Sequence, residues 1–190
     1  MTDNRGMRFL SSDSSLAAPA TTQIRPLQLA DLQGLMQVQE ACYGSEYMEA
    51  VEVYADRMAS GAQCSWVAVQ GDQVLAYLAA YRSRLGCVTP LHGAFVNYVA
   101  PDTLYLHDMA VHPDCTGQGL ANALLAALWR GAAVWSPAYS ALVSVQGSQA
   151  YWQRKGYAPY SALAPADAAA LRSYGDDAVY MVQHYRAERM

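Results

Sequence analysis

Gly117 and Gly119, one residue apart, open a run whose leucines Leu120, Leu124, Leu125 and Leu128 recur at helical spacing. Glycine lets a backbone approach a ligand closely and turn several N–H groups toward one point. A helix start adds unpaired amides and the positive end of the helix dipole. The stretch Thr116-Gly117-Gln118-Gly119-Leu120-Ala121-Asn122 therefore reads as a phosphate site. Bonds to charged oxygens contribute about 1.5–3 kcal/mol each, so a handful of amides holds a pyrophosphate without any lysine. Upstream, His107 lies in an apolar, alternating stretch. Imidazole exchanges a proton near neutral pH, which makes His107 the first candidate for a general base, directly or through a water. Asp108 is the second.

These groups need elements to hold them. Strands are expected over 22–26, 65–70, 74–81, 104–111, 141–145, 157–160 and 178–185, with Gly71-Asp72 as a hairpin turn between the second and third. Asp31 is placed to cap a first helix carrying Leu32, Leu35, Met36 and Val38. Further helices are expected over 49–58, from Leu120 onward, over 148–155 and over 165–172, with Gly156 as a C-terminal cap. Alternation along 104–111 puts Tyr105, His107, Met109 and Val111 on one side and Leu106, Asp108 and Ala110 on the other. The order implies an α/β fold, a mixed central sheet flanked by helices, in one domain over 22–190. Residues 1–21, rich in Ser, Ala, Thr and Pro, read as a disordered lead-in.

Three phosphate-loop patterns compete for residues 116–122. A P-loop requires Gly-Lys-Ser/Thr at the helix start, but Gly119 is followed by Leu120-Ala121. A dinucleotide fingerprint beginning at Gly117 would need glycine where Asn122 stands and a carboxylate within residues 140–146, where there is none. The third fits better. LHDMAVHPDCTGQGLANALLAAL, residues 106–128, resembles the coenzyme-A-binding motif of the Gcn5-related N-acetyltransferases, with Thr116-Gly117-Gln118-Gly119-Leu120-Ala121 following Val111-His112-Pro113. VQGSQAYWQRKGYAP, residues 145–159, resembles the second motif of that family, and Ile24-Arg25-Pro26 before an Asp-started helix resembles its opening.

The resemblance spans residues 22–186 and implies an acyl-CoA N-acyltransferase-like fold and acetyl-CoA as cosubstrate. It implies direct attack of a small-molecule amine or peptide amino group on the thioester. It places acetyl and pantetheine on backbone groups of Met109, Ala110 and Val111, and pyrophosphate on residues 116–122. His107 resembles a strand histidine of the arylalkylamine branch. Three positions depart from the family pattern. Thr116 replaces a Gln or Arg, and Val145 stands where many members carry an Asn, for which Gln146 or Ser148 can substitute. Trp152 stands where many have the Tyr that protonates the departing thiolate. Tyr151 is the neighbouring candidate for that acid, about 100° round the helix. Those replacements also leave a second implied function, a non-catalytic acyl-CoA-binding sensor or interaction domain.

Composition bounds the remainder. The 190 residues carry 12 Lys+Arg against 16 Asp+Glu, and Lys155 is the only lysine, so nucleic acid is not an expected partner. No apolar run approaches the ~20 residues of a bilayer span, so no membrane is expected. Cys42, Cys64, Cys87 and Cys115 lack metal-ligand spacing and read as reduced thiols of a cytoplasmic protein without metal. An apolar content of 53% suits a homodimer interface. Glu40, Glu46, Glu49 and Glu52 gather around the first two helices, where carboxylates either attract a cationic amine or form a solvated face. Fourteen tyrosines stand against two phenylalanines, a surplus without an assigned purpose.

Overall fold

The computed structural model describes residues 21–44 and 47–185. The expected lead-in, except for its last residue, and Glu46 lie outside the described residues. Twelve elements follow in chain order: β1 (Gln23–Pro26), α1 (Leu32–Cys42), α2 (Val51–Ala59), β2 (Trp66–Gln70), β3 (Gln73–Ser83), β4 (Thr103–Val111), α3 (Leu120–Ala132), β5 (Tyr139–Ser144), α4 (Gln149–Arg154), β6 (Ala158–Pro159), α5 (Pro165–Arg172) and β7 (Val179–His184). The strands form one mixed sheet in the order β1-β2-β3-β4-β5-β7-β6. Every neighbouring pair is antiparallel except β4 and β5, which run parallel and are joined through α3.

Helices cover both faces, which is why β3 is buried almost without alternation. On one face α3 lays Leu120, Leu124, Leu125 and Leu128 against Leu78, Leu104 and Leu106. On the other, Leu35 and Val38 of α1 and Tyr54 of α2 pack on Val67, Tyr77 and Ala79. Further along that second face, segment 84–102 and α5 close over Tyr81, Tyr105 and Tyr180.

Two local expectations change. Asp31 does not cap α1 with its side chain. Its carboxylate reaches back to the Gln28 amide at 2.8 Å and grips Arg25 through two bonds of 2.7 Å, tying the end of β1 to the helix entry. The second helix starts at Val51 rather than at residue 49, leaving Glu49 free of helical geometry.

The third correction concerns β4. Ala79 pairs with Asp108 but Ala80 pairs with Leu106, so His107 is an extra residue with no ladder partner on β3. This β-bulge resets the alternation. Leu104, Leu106, Met109 and Val111 face α3, whereas Tyr105, His107, Asp108 and Ala110 share the opposite face. The simple period of two failed because it assumes an unbroken pleat.

β4 and β5 are hydrogen-bonded only from Thr103/Tyr139 to Leu106/Leu142. Beyond that point β4 continues to Val111 with no strand on its β5 side, and the two strands part.

Candidate active site

The glycine loop lies where the parting strands lead. Gly119 is the N-terminal cap of α3, with φ +79°, and Gly117 has φ +76°. A Cβ at either would meet nothing within 4 Å, so glycine is required there by the left-handed backbone rather than by crowding. A cavity of about 330 Å³ opens on this loop, walled by Thr116, Gly117, Gly119, Leu120, Ala121 and Asn122. Val111, Cys115 and Tyr151 complete its wall, while Gln118 is exposed and does not line it. The Thr116 hydroxyl is spent within the loop on the Pro113 carbonyl at 2.9 Å. The single lysine nevertheless lies close by, since Lys155 Nζ donates to Asn122 Oδ1 at 2.6 Å.

A second cavity, about 250 Å³, fills the gap between β4 and β5. Leu106, His107, Asp108 and Met109 form one wall; Leu142, Val143, Val145, Gln146 and Ser148 form the other. Tyr43, Tyr151 and Trp152 also reach it, so Tyr151 borders both this slot and the loop cavity. Ala110 lines neither, being turned to the α1 face and buried there. The Val111 carbonyl accepts from the Cys42 thiol at 3.2 Å, and the Ser148 hydroxyl bonds Ser144 at 3.0 Å. Gln146 holds a left-handed backbone, φ +51°, just before Gly147, a conformation that costs a residue with a side chain free energy and recurs at functional turns. Trp152 is 8% exposed, packed on the α3 core edge-on to Tyr157. Burial raises the pKa of the Tyr151 hydroxyl above its ordinary value, although Arg154 works against it.

A third, smaller cavity of about 50 Å³ shares Tyr43, His107, Asp108, Val143, Val145 and Gln146 with the slot. Tyr47, Glu49, Leu91 and Tyr174 line its other side. The Tyr47 hydroxyl donates to the Tyr174 carbonyl at 3.4 Å, linking two walls.

His107, with its side chain 2% exposed, stands between the cavities. Its Nε2 is 3.3 Å from Glu49 Oε2, and its Nδ1 is 3.5 Å from the Tyr174 hydroxyl, which gives its own hydrogen to the Thr89 carbonyl at 2.7 Å. Glu49 is clamped by both terminal nitrogens of Arg57, one at 2.6 Å, and accepts the His92 amide at 2.9 Å. Burial alone would raise the Glu49 pKa; bonds from His107 and Arg57 overcome it and hold the carboxyl below its ordinary range. Gln39 of α1 fixes the backbone of Glu49 by donating to its carbonyl at 2.8 Å. Arg57 in turn stacks on Phe95 and donates to the Gly93 carbonyl.

Asp108 is held differently. Tyr43 donates to Oδ1 at 2.6 Å, Tyr54 donates to Oδ2 at 2.8 Å, and Tyr77 also donates to Oδ2. Burial, then the charge of Asp108, pushes all three phenols well above their ordinary pKa, so they stay protonated donors. Tyr43, Tyr54, Tyr77, Arg57 and Tyr174 were not singled out by sequence pattern. The tyrosine surplus was their signal: a buried phenol needs a partner for its hydroxyl, and here the partners are functional-looking groups. Of the clustered glutamates among the described residues, Glu40 and Glu52 are exposed and Glu49 lines the small cavity. Among the described residues no cluster of three or more His, Cys, Asp or Glu is arranged for a metal ion, and no helix is long and apolar enough to cross a membrane.

A family model described as "Acetyltransferase (GNAT) family" matches residues 32–157. No curated protein matches the chain. Among solved structures, the chain is similar to the ribosomal-protein-S18-alanine N-acetyltransferase from Escherichia coli, with a TM-score of 0.63 and 16% identity over 90% of this chain and 99% of that one. A GNAT family acetyltransferase from Brucella melitensis in complex with acetyl-CoA gives a TM-score of 0.58 at 19% identity, over 88% of this chain and 90% of that one. The GphF GNAT-like decarboxylase in complex with isobutyryl-CoA gives 0.69 at 14% identity, over 86% and 100%. At such identities these likenesses establish the fold, and the third is a decarboxylase, so the fold alone does not choose the reaction.

Proposed function

The chain belongs to the acetyltransferase (GNAT) family, and on that premise we propose that it transfers an acetyl group from acetyl-CoA to a primary amine. The observation that carries this reading is the parting of β4 and β5 beyond Leu106/Leu142. It opens a slot between the glycine loop and the His107–Asp108 pair, with Tyr151 bordering both ends. In this reading the amides of residues 116–122 hold pyrophosphate at the start of α3. The pantetheine arm runs along the free edge of β4 at Met109 and Val111, with Ser148 on the opposite wall. Ala110 and Gln118 contribute backbone alone.

The amine attacks neutral. A lysine-like amine costs about 4.6 kcal/mol to deprotonate at pH 7, and an α-amino group about 1 kcal/mol. His107 is suited to take that proton. With Nε2–H directed to Glu49, the ring's open atom is Nδ1, and a proton arriving there finds the Tyr174 oxygen as its acceptor. The amine nitrogen bonds to the thioester carbon, the C–S bond breaks, and the coenzyme A thiolate takes a proton from Tyr151 or from water.

The second reading is a non-catalytic acyl-CoA sensor or interaction domain, favoured by Trp152 buried where the family's acid tyrosine would stand. Calorimetric titration with acetyl-CoA followed by thiol release over a panel of amines separates the two. Acetyl-CoA binding with release supports the transferase, and binding without release over the whole panel supports the sensor. Failure to bind overturns both. A cytoplasmic setting, a small-molecule or peptide acceptor and a homodimer belong to the same proposal.

A further inference from the structure

Glu49 and Asp108 are the two carboxylates lining the small cavity, and their hydrogen-bond inventories differ by one. A carboxylate offers about four lone-pair positions. Those of Glu49 are all taken: Oε1 by Arg57 and the His92 amide, Oε2 by Arg57 and His107. Its charge is matched by a guanidinium, and both side chains are almost fully buried. Asp108 receives three hydroxyl hydrogens, two on Oδ2 and one on Oδ1. One position on Oδ1 is therefore open, and among the described residues no cation pairs with this group. Phenols stabilise a carboxylate without cancelling its charge. The result is a half-buried anion with one free acceptor site, facing both the slot and the small cavity. His107 and Gln146 also line that cavity, and its other walls are apolar or aromatic: Tyr43, Tyr47, Leu91, Val143, Val145 and Tyr174.

We propose that Asp108, set in its socket of Tyr43, Tyr54 and Tyr77, is the ammonium anchor that selects a cationic amine with an apolar body as acceptor. This rests on the transferase reading and adds to it a specificity-determining residue. Asp108 holds the ammonium through one N–H···Oδ1 bond and its full charge, while His107 beside it removes the proton. Glu49, already neutralised, positions His107 and does not recruit substrate.

The test is direct binding, independent of turnover. Benzylamine and benzyl alcohol, which share a body and differ in charge, are titrated calorimetrically at neutral pH into the protein saturated with coenzyme A. The amine is expected to bind roughly tenfold or more tightly than the alcohol, the scale of one charge-assisted hydrogen bond. Asp108→Asn should bring the two together, whereas Tyr43→Phe, which frees a second position on Oδ1 and leaves the charge, should keep the preference. Equal affinities in the unaltered protein overturn the anchor, and so does a preference that survives Asp108→Asn or disappears in Tyr43→Phe. Thiol release from acetyl-CoA with benzylamine is read in parallel. Amine preference without release removes the transferase reading and leaves the anchor; release without preference does the reverse.

Discussion

The Nε2 atom of His107 lies 3.3 Å from Oε2 of Glu49, so the only histidine bordering the two strand-gap cavities is oriented by a carboxylate that is itself locked by Arg57. A base held in this way has one tautomer and one open nitrogen. His107→Ala should lower kcat/KM for acetyl transfer by about 10²-fold or more and abolish the rise of rate with pH that a base produces. Steady-state kinetics across pH tests this, and an unchanged profile removes His107 from the role. Glu49→Gln should cost less, because the Gln carbonyl still accepts from Nε2 and keeps the ring in place.

Arg57 and Glu49 form a buried ion pair, with side chains 2% and 3% exposed. Removing one partner strands the other, so Arg57→Met should destabilise the fold by about 3–5 kcal/mol in urea unfolding at neutral pH. The Glu49 pKa is depressed in the folded protein against the ordinary value of 4.5, despite burial, by bonds from His107 and Arg57. Its stabilisation is therefore complete above that value and is lost as pH falls below it. Unfolding free energy measured at descending pH should decline in this window, and Glu49→Gln should flatten the decline.

Gly119→Ala tests the loop. At φ +79° a side chain costs about 1–2 kcal/mol even though the added carbon meets no neighbour. The loop should respond by turning its amides away from their common point. KM for acetyl-CoA should rise roughly tenfold, whereas the same acetyl thioester on pantetheine alone, which lacks the phosphates, should be used as before. Equal losses for both would locate the phosphates elsewhere.

Tyr151→Phe asks where the leaving thiolate finds its proton. Tyr151 borders both the slot and the loop cavity, and its raised pKa keeps the hydroxyl protonated at working pH. Loss of this donor should lower kcat by about tenfold to a hundredfold with little change in acetyl-CoA affinity. An unaltered kcat would show that water serves instead.

The tyrosines also set an alkaline limit. Burial pushes the Tyr157 hydroxyl up to about 12 from 10.0, even against bonds from Ser140 and its neighbours, and burial raises Tyr54, Tyr77 and Tyr105 in the same direction. For such groups the stability present below the unfolded value disappears as pH rises through the folded one. Followed together above pH 10, the share of tyrosinate absorbance that belongs to the buried phenols should rise in the same cooperative step as the loss of circular dichroism. Ionisation of Tyr54, Tyr77, Tyr105 and Tyr157 in a protein that stays folded would contradict this.

The loop and the strand feeding it were legible in the sequence because their signals are local: two glycines, a helical leucine stripe, an apolar alternation. His107 was legible as a residue type. The Asp108 socket was not, because its three donors lie 65, 54 and 31 residues away in the chain and meet only when α1, α2 and β3 assemble. Glu49 looked like one of several surface glutamates, and only the fold pairs it with Arg57 eight residues on. The bulge was invisible for a different reason: nothing in Tyr105-Leu106-His107-Asp108 marks one residue as surplus until the partner strand is present.

That surplus residue bears on how readily the chemistry of the strand can change. Leu106 is pinned opposite Ala80 and Asp108 opposite Ala79, so the register is fixed on both sides of His107 while His107 itself occupies no rung. Substitution at 107 can alter what the cavity does without shifting the strand. Deleting residue 107 would restore an unbroken pleat in which Leu106 stays on the face of α3 and Asp108 on the opposite face, each across from its present partner. The histidine is thus an addition to the strand rather than a part of its pleat.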